Sequence, residues 1–213
     1  MFTRFIPKAF RRYARQNLTQ FTLNLLSEHI RRLEETEAYV EQLATVLRHE
    51  HGLIPIPPAH LQIRVTGRFS PEFIESGYWH YNNFNELLKP VNRTLNCFSS
   101  ILDFGSGCGR VIRALAGNLP DTKLFGTDID PEAIAWCQAN YGRFGSFSTC
   151  PHEPPTPYSD NSFDFIYGIS VFTHLPEDLQ FKWLQELRRI CKPGGYLILT
   201  KHGHKNAPQF PDC

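Results

Sequence analysis

The stretch that most constrains this chain is Ile101-Leu102-Asp103-Phe104-Gly105-Ser106-Gly107-Cys108-Gly109-Arg110. An apolar run breaks into three glycines at alternate positions and passes into a helical pattern, which reads as strand, tight turn and helix. Glycine adopts positive φ freely and lets a ligand lie against the backbone. The spacing is G-x-G-x-G, whereas a dinucleotide fingerprint requires G-x-G-x-x-G. Asp103 stands two residues before the first glycine. It would repel a pyrophosphate and attract a cation such as an α-ammonium group.

The pattern continues as strand–turn–helix units. Strands are expected at 100–104, 123–128, 145–149, 163–170 and 196–200, and helices at about 109–117, 131–140 and 176–191. Such alternation specifies a parallel sheet covered by helices. Asp128 ends the second strand, 19 residues after Gly109, where an acid can take both hydroxyls of a ribose. Asp130 and Pro131 then read as N-cap and first position of the next helix. Ile129 can lie against a flat purine face. The fourth strand ends near Ser170 and leads to Val171-Phe172-Thr173-His174-Leu175. The stripe Leu179, Trp183, Leu187 and Ile190 precedes a Lys192-Pro193-Gly194-Gly195 turn into Tyr196-Leu197-Ile198-Leu199-Thr200.

These four blocks, in this order, resemble the class I S-adenosylmethionine-dependent methyltransferases, in particular their small-molecule branch. The resemblance covers about residues 99–200. It implies an α/β fold: a Rossmann-like parallel sheet with flanking helices, preceded by an N-terminal helical extension. By that likeness Gly105, Gly107 and Gly109 would line the methionine moiety of S-adenosyl-L-methionine, and Asp103 would face its ammonium. Asp128 would take the ribose, Ile129 the adenine, and Ser170 would close the pocket. The expected reaction is in-line transfer of a methyl group to a small-molecule acceptor, which needs mainly positioning and desolvation. An oxygen acceptor also needs a base, for which His174 is the first candidate and His80 the second. The chain departs from the family twice. Many members carry an Asp 12 residues before the strand-four acid; counted from Asp164, that position is His152. Only residues 201–213 follow the fifth strand, so the domain at 99–213 is expected to lack the family's terminal strand pair. Tyr196–Thr200 would then be an edge, to be covered by residues 60–66, the tail or a second subunit.

Two segments precede the domain. Residues 1–50 combine a basic arm with a long helix candidate. Arg4, Lys8, Arg11, Arg12 and Arg15 come before the first acid, Glu28, and Leu26, Leu33, Val40 and Leu47 repeat at seven. The arm either touches an anionic surface or folds back on the protein, and the helix at 18–50 either packs on its own domain or joins a homodimer. Residues 51–98 form a cap or substrate lid. Leu61, Ile63 and Val65 alternate like a short strand ending at Gly67, and Tyr78, Trp79, His80 and Tyr81 cluster ahead of the domain.

Composition excludes other classes. Lys+Arg of 22 against Asp+Glu of 21 gives +1, which argues against whole-surface nucleic-acid binding. Six cysteines without paired spacing read as free thiols of a reducing compartment, and no stretch has the length of a membrane span. A cytoplasmic protein is expected. Cys150-Pro151-His152 and His202-Gly203-His204 with Cys213 lack the ligand spacing of a structural zinc site, and no metal is expected. The competing readings are a nicotinamide oxidoreductase and a non-catalytic binding or scaffold protein that keeps the fold.

Overall fold

The computed structural model describes residues 22–36, 54–68 and 70–201. The basic arm, Val40, Leu47, and His202, His204 and Cys213 lie outside the described residues. The chain divides into two compact units, one ending at Leu53 and one from Ile54 onward. In the first, residues 22–36 form a helix, α1, exposed along its length. Its charged residues pair one turn apart, Arg31 with Glu35 and Arg32 with Glu28, contributing a few tenths of a kcal/mol each, about 0.3–0.5. Among the described residues no helix is long and apolar enough to cross a membrane.

The second unit is built on five parallel strands: β1 (Ser100–Phe104), β2 (Lys123–Asp128), β3 (Gly145–Thr149), β4 (Phe163–Gly168) and β5 (Cys191–Leu199). Their order is β3-β2-β1-β4-β5, so the winding direction reverses between β1 and β4. Helices α2 (Ala59–Thr66) and α3 (Phe73–Leu88) precede the sheet. Then α4 (Arg110–Asn118) joins β1 to β2, α5 (Pro131–Tyr141) joins β2 to β3, and α6 (Glu177–Ile190) joins β4 to β5.

Strand periodicity sorts the core into two layers. Ile101, Phe165 and Tyr167 face a cluster completed by α3, α4 and α5, with Phe84, Ile112, Leu115, Ile134 and Tyr141. Leu102, Phe104 and Ile166 face the other side, against Leu179, Trp183, Leu187 and Ile190 of α6. α3 crosses α4 closely because Gly77 has no side chain: a Cβ there would lie 2.5 Å from the Arg110 carbonyl oxygen. The Tyr141 hydroxyl donates to the Pro55 carbonyl at 2.8 Å and fastens the segment entering α2 to α5.

Three expectations need correction. Leu61, Ile63 and Val65 are helical, not a strand. Leu61 and Val65 lie four apart on one helical face while Ile63 is exposed, and Gly67 ends the helix at φ 73° with its N–H bonded to the Ile63 carbonyl. An alternation of only five residues fits either period. β5 begins at Cys191 rather than 196, because Cys191 pairs with Phe163 before the ladder shifts register and resumes at Tyr196. Residues 60–66, proposed above as a cover for β5, lie instead within α2; β5 is hydrogen-bonded to β4 alone among the described strands.

One buried charge braces the segment between β3 and β4. Glu186 of α6 accepts from the Thr156 N–H and hydroxyl and pairs with Arg189 at 2.7 Å. The Arg189 guanidinium holds its carboxyl down to about 2, against burial, with Thr156 adding to the effect. A depressed acid stabilises the fold above its unfolded value of 4.5 and loses that contribution as pH falls toward about 2. Glu186→Gln should therefore lower stability by about 1–3 kcal/mol at pH 7, in the range for hydrogen bonds to charged groups. The deficit should shrink as pH falls through this window, as urea unfolding would measure.

Candidate active site

A cavity of about 400 Å³ opens at the carboxyl ends of β1, β2 and β4, on the switch point of the sheet. Its volume falls in the lower part of the range for small-ligand sites, roughly 300–1,000 Å³. Asp103, Gly105, Gly107, Asp128, Ile129, Ser170 and His174 all line it, brought together from three strand ends.

The glycine turn forms one wall. Gly105, Gly107 and Gly109 all have positive φ, at 81°, 51° and 80°. The N–H groups of Gly105 and Ser106 bond the Thr127 carbonyl, which ties the turn to β2. Gly107 also needs its missing side chain, since a Cβ would lie 2.5 Å from a Val65 methyl of α2. Gly109 departs from expectation: it is not among the cavity-lining residues. Its open face abuts the Tyr141 ring, 2.6 Å from where a Cβ would be, so its smallness serves the packing of α4 on α5.

Two acids stand beside the turn. Asp128 accepts the Gly107 N–H through one oxygen at 2.7 Å and the Asp130 N–H through the other at 2.9 Å. Asp130 caps α5, accepting from the N–H groups of Glu132 and Ala133. Asp103 is 3 % exposed, opposite Tyr167 in the β1–β4 register. Burial pushes its carboxyl up to about 7; Tyr167 pulls the other way, Asp128 adds to the rise, and Arg110 opposes it. Tyr167 lies close enough to act on this carboxyl, yet its hydroxyl makes no well-formed hydrogen bond, and Ser106 Oγ and Arg110 Nε are likewise buried without partners among the described residues. A buried acid lining the cavity with Tyr167 and Arg110 near it suits a polar, cationic ligand end, and S-adenosylmethionine carries an α-ammonium. The cavity fits that group.

The far wall comes from the connection between β4 and α6 and from the β3–β4 segment. Ser170 is held at φ 60°, its N–H donating to Thr200 Oγ1 at 2.7 Å and its carbonyl accepting from Thr173. His174 sits exposed at the end of a 3-10 turn, Phe172–His174, on the rim. His152 lines the cavity with Cys150, and its carbonyl accepts from the Trp183 indole at 3.4 Å. Ile129 is 59 % exposed at the mouth.

The cap is arranged differently from expectation. Leu61, Arg64 and Val65 of α2 line the cavity, whereas Tyr78, Trp79, His80 and Tyr81 do not. These aromatics ride on α3, which packs against α4 and sends Phe84 into the core. His80 lies between the Trp79 and Phe84 rings, and burial, aided by the Arg110 charge, holds it down to about 4. The second base candidate is thus neutral and outside the cavity. The role of α2 was hidden because Arg64 meets Asp130 and Glu132 across more than sixty residues of chain. Among the described residues, no three His, Cys, Asp or Glu side chains are grouped to hold a metal.

Residues 102–199 match the family model described as a methyltransferase domain. The malonyl-[acyl-carrier protein] O-methyltransferase of Hahella chejuensis is 24% identical over 104 residues, covering 49% of this chain and 37% of that protein. A tRNA N(3)-cytidine methyltransferase of Gallus gallus is 29% identical over 119 residues, 52% of this chain and 32% of that protein. The match thus spans about a third of the length of these curated relatives. Among solved structures, an S-adenosylmethionine-dependent methyltransferase from Methanococcus maripaludis superposes with a TM-score of 0.52 at 17% identity. The superposition covers 69% of this chain and 66% of that one, and shows the shared fold.

Asp103 makes a testable signature. Its raised value means that the folded state binds the proton more tightly than the unfolded chain, whose value is 3.8. This favours folding below about pH 4 and is lost as pH rises through about 7. Asp103→Asn removes the slope, so the variant should gain stability relative to the parent as pH climbs from 4 to 8. Matched denaturant titrations measure the difference, and parallel curves would contradict the assignment.

Proposed function

We propose that this chain carries a class I methyltransferase domain that uses S-adenosylmethionine and moves its methyl group to a small-molecule acceptor, a reading supported by the match of residues 102–199 to the methyltransferase-domain model. The observation that carries the reading is the placement of Asp103 and Asp128 on adjacent strand ends, flanking the glycine turn in one cavity. In this reading Asp103 holds the ammonium of the cofactor and Asp128 its ribose hydroxyls, while exposed Ile129 supports the adenine. Gly105 and Gly107 let the chain lie close to the methionine portion, and Ser170 bounds it from β4. When bound, the cofactor supplies an activated sulfonium methyl. The protein excludes water, orients the acceptor and, for an oxygen acceptor, takes a proton at a His174 ring nitrogen.

A small acceptor is favoured by the charge at the mouth. Of the two arginines lining the cavity, Arg64 is engaged by Asp130 and Glu132, and Arg110 is largely buried beside Asp103. Neither is presented to a phosphate backbone, whose binding rests on available cations.

Calorimetry with S-adenosylmethionine and with NAD, followed by labelled-methyl transfer to pooled metabolites and to RNA, tests the proposal. The expected outcome is binding of the first ligand alone and label in a small product. Asp128→Ala should weaken cofactor binding by about 1.5–3 kcal/mol, the range for charged hydrogen bonds. His174→Ala should leave binding intact and slow transfer by about a hundredfold or more. Binding without turnover would favour a scaffold, and label only in RNA would overturn the small-molecule reading.

A further inference from the structure

Among the described residues, Leu61, Arg64 and Val65 are the cavity-lining side chains that come from outside the strand-and-helix repeat. They belong to α2, a helix of 8 residues with a single fully buried side chain, Leu61, seated with Phe73, Cys108 and Ala133. Val65 lies against Gly107, so α2 covers the backbone along which a ligand would run. Two prolines, Pro57 and Pro58, stiffen its entry, and Gly67 at φ 73° makes its exit.

The Tyr141–Pro55 hydrogen bond anchors the entry to α2, and ion pairs do the rest of the fastening. One guanidinium nitrogen of Arg64 lies 2.9 Å from Asp130 Oδ2 and the other 2.6 Å from Glu132 Oε2, while His60 Nε2 lies 3.1 Å from Glu132 Oε1. All three contacts land on the first turn of α5, whose cap residue Asp130 is itself bonded to Asp128. The groups are mostly solvent-exposed, so the attachment is strong in geometry yet open to competition from water and salt.

We propose that α2 is a movable wall over the cofactor cavity, and that Arg64 is the positioning residue that holds it shut against the start of α5. The proposal rests on the S-adenosylmethionine reading of the cavity. A wall latched by surface ion pairs opens often enough to admit ligand and closes well enough to exclude water. Loosening it speeds entry and exit together, whereas loss of a static contact would speed exit alone.

The test measures association and dissociation of labelled S-adenosylhomocysteine, together with amide exchange over residues 59–66 in the ligand-free protein. Arg64→Ala should raise both rates, dissociation by about tenfold, since a pair of such contacts is worth on the order of that factor. Arg64→Lys, which cannot fork between two carboxylates, should fall between. Salt should accelerate exchange in the parent and leave the Ala variant nearly unchanged. Unaltered rates, or faster dissociation with unaltered association, would overturn the proposal. Should the parent bind no S-adenosylhomocysteine, the reading of the cavity fails, yet the latch is still decided. Faster amide exchange in Arg64→Ala supports it, and equal exchange refutes it.

Discussion

The Asp128 carboxylate is the contact on which the site depends. Its two oxygens accept the N–H of Gly107 and of Asp130, so one side chain joins the glycine turn after β1 to the start of α5 after β2. Both turns leave parallel strands at the same sheet end and would otherwise be separate loops. With them joined, Asp130 can cap α5 and still receive Arg64, which brings α2 over the turn. The cavity is therefore assembled from contacts converging on a single strand end. Charge–hydrogen-bond pairs of this kind are stronger than neutral ones, which lets loops rich in glycine hold a defined shape.

Asp103 contributes the opposite kind of energy. Its carboxyl is buried next to Asp128 with no hydrogen-bonded cation, and burial raises it to about 7. A buried acid so poorly neutralised costs stability in the empty protein at neutral pH. In the proposed reading a cationic ligand would remove that cost on arrival, and part of its binding energy would be stored in the fold beforehand. Tyr167 and Arg110, which act on the same carboxyl, each keep a buried polar atom without a partner among the described residues. Strain at Ser170, at φ 60°, sits on the facing wall. Such concentrations of unfavourable chemistry mark functional sites more often than packing defects.

Much of this was legible in the chain itself, for stated reasons. β1, β2 and β4 were readable because their apolar patterns stop at glycine or acid, and Asp130-Pro131 is an unambiguous helix start. The spacing of Asp103, the glycines and Asp128 carried the cavity because all belong to consecutive strand ends. What stayed hidden depended on distance in sequence or on short patterns. Leu61-x-Ile63-x-Val65 fits a strand or one helical face, and only packing on Ala133 and Gly107 decides between them. Gly109 looked like a third ligand-facing glycine, yet it exists to admit the Tyr141 ring from α5. The aromatic run on α3 suggested a lid because aromatic side chains favour binding sites; here its neighbour Phe84 is drawn to Phe165 and Tyr167 in the core instead. The brace made by Glu186 was hidden because, beyond its helical neighbour Arg189, its partner Thr156 is thirty residues away.

If Asp103 meets a positive charge when the cavity fills, ligand binding and proton release must be linked. Binding of S-adenosylmethionine measured calorimetrically between pH 6 and 8, in buffers of different ionisation enthalpy, tests that linkage directly. Binding should weaken toward pH 6 and release net protons near pH 7, as the ligand forces a carboxyl raised to about 7 into its ionised form. Both effects should vanish in Asp103→Asn. Proton release of the same size in that variant, or affinity independent of pH in the parent, would contradict the claim.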